Sequence, residues 1–188
     1  MVYFTADLHL GHAAVIGLCG RPFASCEEMD EALIANWNAR VGERDVVYIA
    51  GDLMWKCADP EAYLARLKGR KILVRGNHDG TWLQKTDASR YFEQVAPLIE
   101  ESLNGHPVTV CHYPMLEWKN SRKEGSRKLG YLVCGHLHNR AAGEAAEWMR
   151  RTPNALNAGV DVNGFRPVTF AELERNNRLF YGRGEKEN

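Results

Sequence analysis

Short runs of β-branched and aromatic residues recur along the chain, and each one ends in a polar cluster. Val2–Ala6 ends at Asp7, Val46–Ala50 at Gly51-Asp52, and Lys71–Arg75 at Gly76-Asn77-His78-Asp79. Val108–Cys111 ends at His112, and Tyr131–Cys134 at Gly135-His136-Leu137-His138. Runs of this length and content predict buried strands that feed loops. Helical signals lie between them. Ser25 with Glu28 predicts a capping box for a helix to about Val41, whose Met29, Leu33 and Trp37 repeat at i+4 as one apolar stripe. Asp59-Pro60 supplies an N-cap and an N1 proline ahead of Tyr63, Leu64 and Leu67, with Gly69 at the expected C′ position. Thr169 with Glu172 predicts a second capping box, for a helix to about Asn176, and residues 182–188 read as a polar tail.

Leu98–Leu103, Asn104-Gly105 and Val108–Cys111 read as a hairpin, because Asn-Gly favours the positive φ of a tight turn. The hairpin makes a mixed sheet the expectation. Alternating strands and helices predict an α/β layered domain, whose ligands bind outside the carboxyl ends of the strands. All of the polar clusters lie at that edge.

The chain has 188 residues, with 24 Lys+Arg against 24 Asp+Glu, and 45% of its residues are hydrophobic. No repeat, low-complexity tract or linker marks a boundary, so residues 1–188 are read as a single domain. A balanced charge weighs against a protein that holds nucleic acid by bulk electrostatics. Apolar stretches fall far short of the roughly 20 residues of a membrane span, and no secretory signal is visible. Cys19, Cys26, Cys57, Cys111 and Cys134 form no Cys-x-x-Cys pair. They are expected as small hydrophobes in or near the core of a cytoplasmic protein.

The strand ends collect Asp7, His9, Asp52, Asn77, His78, His112, His136 and His138, a set that holds five of the seven histidines. Asp7 and His9 are two residues apart, as are His136 and His138; if strand geometry persists, each pair projects to one side and grips one ion. Imidazole and carboxylate ligands without thiolate suit Mn, Fe, Co, Ni or Zn and disfavour calcium. The ligand count exceeds that of one catalytic zinc, so two ions sharing a carboxylate fit better. Such a cluster, with two carboxylates and one bound hydroxide, keeps a net charge of about +1 and attracts a phosphate anion. The hydroxide would be the nucleophile for displacement at phosphorus.

The ordered series Asp7-Leu8-His9, Gly51-Asp52, Gly76-Asn77-His78-Asp79, His112 and Gly135-His136-Leu137-His138 resembles the calcineurin-like metallophosphoesterases. The resemblance spans about residues 2 to 170. It implies a four-layer α/β/β/α sandwich of two mixed sheets flanked by helices, with the metal site at strand C-terminal ends. It implies further that Asp7, His9, Asp52 and His138 hold one metal, and that Asp52, Asn77, His112 and His136 hold the other, Asp52 bridging. His78 would reach the substrate, stabilise the phosphoryl charge and protonate the leaving oxygen. Asp79 either orients His78 or caps structure. Manganese is expected first of the two divalent ions, with Fe, Ni, Co or Zn as alternatives. The substrate is expected to be a phosphorylated small molecule or nucleotide, as a monoester or a diester. A nuclease acting on DNA or RNA and a catalytically silent metal-binding scaffold are the rival readings.

His12, in Asp-Leu-His-Leu-Gly-His, and the stretch 157–167 resemble a small prokaryotic and phage subgroup of that family. His12 is read equally as a support for the ligands or a substrate-phosphate contact, or as a capped surface histidine. Arg166 is a candidate phosphate contact, though an exposed arginine is the plainer reading. The basic stretch Lys119–Lys128 is read as a solvated face or, more sharply, as a substrate flap with Trp118 at its root as a base-stacking platform.

Overall fold

The computed structural model describes residues 1–103, 105–122, 125 and 128–183. Along the chain run β1 (Val2–Thr5), α1 (Ala13–Cys19), α2 (Cys26–Asn38), β2 (Val46–Ile49), α3 (Pro60–Leu64), β3 (Arg70–Val74), α4 (Gly80–Leu83) and β4 (Phe92–Ala96). They are followed by β5 (Leu98–Leu103), β6 (His106–Cys111), β7 (Tyr131–Cys134), α5 (Glu144–Arg151), β8 (Ala155–Asn157) and α6 (Phe170–Phe180). One sheet has the order β1-β2-β3-β4 and the other β5-β6-β7-β8.

Alternation along the strands sorts side chains into three cores. Phe4, Tyr48 and Ile72 from the first sheet meet Ile99, Val108, Val110, Val133 and Leu156 from the second, forming the layer between the sheets. The opposite face of the first sheet, with Tyr3, Val47, Ile49 and Leu73, packs on Met29, Leu33 and Trp37 of α2 and Leu64 of α3. Leu132, Cys134 and Ala155 cover the outer face of the second sheet against Ala146 and Met149 of α5. Each fully buried aliphatic side chain contributes about 1.5–3 kcal/mol. The result is the expected two-sheet sandwich flanked by helices. The second sheet is mixed, because β5 and β6 form the expected antiparallel hairpin while β6-β7 and β7-β8 are parallel. The first is parallel at every strand pair, and its antiparallel element is the single Phe4–Val168 bridge.

Element ends differ from expectation where tertiary contacts take over. The helix expected to reach Val41 stops at Asn38 and closes in a tight turn, with both Arg40 and Val41 donating to the Trp37 carbonyl. Ser25 caps it as expected, but Glu28 reaches Ala24 N (2.7 Å) instead of closing the box on Ser25. Gly69 is not a helix C′ residue, since α3 ends at Leu64; with φ 85° it lets the chain pass Val41, which a Cβ would meet at 2.6 Å. In α6 the Thr169–Glu172 box is complete, and the helix runs on past Asn176 to Phe180. Asn177 is buried there, its amide donating to Leu173 O and Asn157 O (both 2.9 Å), and that tertiary bond rewards a poor helix former. The expected 182–188 tail lies mostly outside the described residues, as does Asn104 of the hairpin turn; Gly105 has φ 77°.

Candidate metal centre

All of the strand-end clusters come together at one edge, by a route the residue spacing did not predict. β1 ends at Thr5, and Asp7 and His9 have φ values of 56° and 54°. Asp52, His136 and His138 likewise occupy the left-handed region, at 55°, 68° and 49°. Extended geometry therefore does not carry either i, i+2 pair. Instead the backbone coils so that neighbouring side chains turn inward together. Non-glycine residues adopt such φ values rarely, and strain of this kind gathers at functional sites. The loops hold one another: Asp7 N donates to Gly51 O (3.0 Å) and His9 N to Asp52 O (3.1 Å). Gly76 permits the closest approach, since a Cβ there would lie 2.2 Å from Asp52 Oδ1.

Asp7, His9 and His138 form one group whose ligand atoms lie within 4.8 Å of one another; Asp52, His112 and His136 form another, and His9, Asp52 and His78 a third. Asp52 Oδ2 is central, 3.6 Å from His9 Nε2, 3.4 Å from His112 Nε2 and 3.8 Å from His78 Nε2. Its other oxygen accepts from His78 N at 2.9 Å. Asn77 Oδ1 lies 3.0 Å from His112 Nε2 and 3.1 Å from His136 Nδ1.

These donors fit divalent cations. Asp7 Oδ2 and His9 Nε2 are buried without a hydrogen-bond partner, an arrangement that is costly unless something else satisfies them. His112 Nδ1 donates to the Ala50 carbonyl at 2.8 Å, which leaves the Nε2 lone pair facing Asn77 and Asp52. Spacings of 3.0–3.4 Å among lone pairs suit ligands sharing a cation with bonds of about 2.1 Å. Without a cation, protons serve instead. Burial opposes charging His138, but Asp161 beside its Nδ1 pushes it up to about 10, and Asp52 raises His112 against the same opposition. Burial pushes Asp7 up to about 6 and His9 down to about 3. Asp52, which burial would raise, is held at about 2 chiefly by His112.

Several supporting residues were not singled out from the sequence. Asp161 accepts from His138 Nδ1 (2.9 Å) and from Arg21 Nε and Nη2 (2.8 and 3.0 Å). Arg21, itself buried, also donates to Asp7 O and Leu8 O. One ion pair thereby locks a ligand histidine and the Asp7 turn together. Asp79 does not orient the His78 ring. Its buried carboxylate accepts from Asp52 N, Leu53 N, Gly76 N and Trp82 Nε1, so it joins the Asp52 and Asn77 loops. Trp55 stacks on His12 at 4.7 Å and meets His78 edge-on at 4.2 Å. His12 lies beside the cluster, its Nδ1 3.3 Å from His9 Nδ1, a contact that can hold the ring offering Nε2. In the 157–167 stretch, Asn157 donates to His138 O at 2.8 Å.

One expectation fails, and the plainer readings of two others fit. Trp118 is buried against α5, with Nε1 donating to Gly130 O, so it offers no face to a base. Lys119 pairs with Glu100 and Arg122 with Glu117, while Lys123 and Arg127 lie outside the described residues. Arg166 is exposed and does not line the cavity beside the histidines.

A model of the calcineurin-like phosphoesterase superfamily domain matches residues 2–164. The chain belongs to that superfamily. As a calcineurin-like phosphoesterase it shares 30% identity over 174 residues with an uncharacterized protein of Methanocaldococcus jannaschii, covering 90% of this chain and 86% of the relative. It is also 30% identical over 187 residues to the Gene 66 protein of Mycobacterium phage D29, covering 86% and 88%. A crystal structure of a protein of unknown function from Aquifex aeolicus superposes with a TM-score of 0.70 at 25% identity, covering 93% of this chain and 98% of that one. The superfamily is generally metal-dependent and acts on phosphorylated substrates, and the His and Asp groups described above are candidate metal-binding clusters. Among the described residues no helix is long and apolar enough to cross a membrane.

Proposed function

We propose that this chain is a dinuclear metal-dependent phosphoesterase that hydrolyses a phosphomonoester or phosphodiester. The observation that carries the reading is the meeting of two ligand groups at Asp52 Oδ2, beside the buried, unpartnered Asp7 Oδ2 and His9 Nε2. Asp7, His9, Asp52 and His138 would hold one divalent ion, and Asp52, Asn77, His112 and His136 the other. Manganese is expected first. Such ions supply Lewis acidity toward a phosphoryl oxygen and a water acidified at neutral pH.

The remaining work falls to the chain. Asn77 contributes a neutral oxygen and so limits negative charge where an anion must dock. His78 is 29% exposed at its side chain, anchored through its backbone to Asp52 and held edge-on by Trp55. That position suits it to contact the phosphoryl group and to deliver a proton from Nε2 to the departing ester oxygen. Free cysteines suit a reducing compartment, and the reading includes action in the cytoplasm.

The test is to strip metal with a chelator, add back Mn²⁺, Fe²⁺, Ni²⁺, Co²⁺ and Zn²⁺ separately, and follow an aryl phosphomonoester beside a diester. Metal-restored turnover with two ions per chain is expected, lost in Asp52→Asn and His78→Ala. Full activity in either variant, or saturation at one ion, overturns the assignment.

A further inference from the structure

Beside the cluster lies a cavity of about 420 Å³, lined at its floor by His9, His78, His136 and His138. It is far larger than one phosphate needs and falls within the usual size of small-molecule sites. Part of the lining is apolar: Val15 and Leu18 of α1 and Leu137, of which Leu18 is 78% exposed. The walls are pinned together, since Asn139 Nδ2 donates to Cys19 O at 2.7 Å. Arg140 stands at the rim, and its guanidinium has no hydrogen-bond or ion-pair partner among the described residues. Among the described residues no carboxylate lines this cavity. A second cavity, also about 420 Å³, is lined by Glu27, Asp30, Glu31 and Asp59 together with Lys56 and Arg66. Carboxylates outnumber cations there, and of these two cavities it is the first that opens on the histidines.

Resting on the metal-dependent reading above, we infer that this cavity selects small phosphoesters that carry a second anionic group on an apolar or planar body. The scissile phosphate meets the metal cluster, the body lies along Val15, Leu18 and Leu137, and the second anion meets Arg140. Arginine offers forked donors to phosphate or carboxylate, and an unpaired one loses no existing ion pair on binding.

The test compares binding of phenylphosphonate, 4-phosphonobenzoate and 1,4-phenylenediphosphonate to Mn²⁺-loaded protein by calorimetry. Wild type is expected to bind at least one of the two doubly anionic ligands about tenfold more tightly than phenylphosphonate. Arg140→Ser is expected to lose that ratio and Arg140→Lys to keep most of it. The ligand that loses more in Arg140→Ser names the second anion as carboxylate or phosphonate. Leu18→Ser is expected to weaken all three ligands alike. An unchanged ratio in Arg140→Ser, or no preference in wild type, overturns the inference. Hydrolysis of 4-nitrophenyl phosphate, bis(4-nitrophenyl) phosphate and 4-carboxyphenyl phosphate by the same samples separates the two readings. Preserved Arg140-dependent binding without turnover sinks the hydrolase and leaves the subsite, whereas turnover without the binding preference does the reverse.

Discussion

Asp161 shows how much one buried carboxylate can govern. It holds His138 through Nδ1 and neutralises Arg21, which in turn fixes the carbonyls of Asp7 and Leu8. Outer partners of this kind typically matter 10–100-fold in metal affinity, so Asp161→Asn is expected to weaken metal binding by about that factor. It also strands a buried guanidinium, at a cost of about 3–5 kcal/mol read by thermal melting. Unchanged metal affinity alongside lost stability would assign Asp161 a purely structural role. A second expectation follows from protonation. Asp161 holds the metal-free His138 charged at neutral pH, with its pKa raised to about 10, and Asp52 raises His112 as well. Ligation needs the neutral imidazole of His138, so loading metal at pH 7 is expected to release at least about one proton per chain. Calorimetry in buffers of different ionisation heats counts them; no release would remove His138 from the ligands. The histidines were legible because each follows a strand-like run. Arg21 and Asp161 were not, since a pair 140 positions apart leaves no local trace.

Local signals read best where the chain satisfies itself. Thr169 and Glu172 box one another as their spacing predicts, whereas Asn177 extends the same helix only because Asn157 lies across from it. The left-handed turns at Asp7, His9 and Asp52 were illegible for a related reason: the residues that adopt them are not glycines, and contacts between loops impose them. Glu172 tests the self-contained case. Burial would raise its pKa, but Thr169 and then Arg40 outweigh that and hold it below the usual carboxylate range. A depressed folded pKa gives stability that is complete above the unfolded value of roughly 4.3 and fades as pH falls through the folded one. Glu172→Gln keeps the helix cap and loses the charge, so it is expected to cost about 0.5–1 kcal/mol at pH 7. The gap between the two melting curves should narrow steadily as pH falls below the unfolded value. A gap that does not narrow there would mean that packing, not charge, is what Gln disturbs.

The whole molecule divides its stability unevenly. Three cores fix the sheets and helices, while strained turns and unpartnered buried acceptors concentrate at one edge, in loops that join both sheets. Cations at that edge would satisfy the acceptors and tie the first sheet, through Asp7 and Asp52, to the second, through His112 and His138. Binding that favours only the folded state adds about 2.7 kcal/mol per site at a hundredfold excess over Kd. For a chain of this size each kcal/mol moves Tm by about 2–4 °C. Two sites are thus expected to raise Tm by about 10 °C or more between chelator and Mn²⁺. Hydrogen exchange should locate the gain: protection is expected to rise at residues 6–12, 50–55, 76–79 and 135–138, with the sheet interiors little changed. A metal-independent Tm, or protection spread evenly over the chain, would mean that the edge is already satisfied without cations, and the dinuclear reading would fall with it.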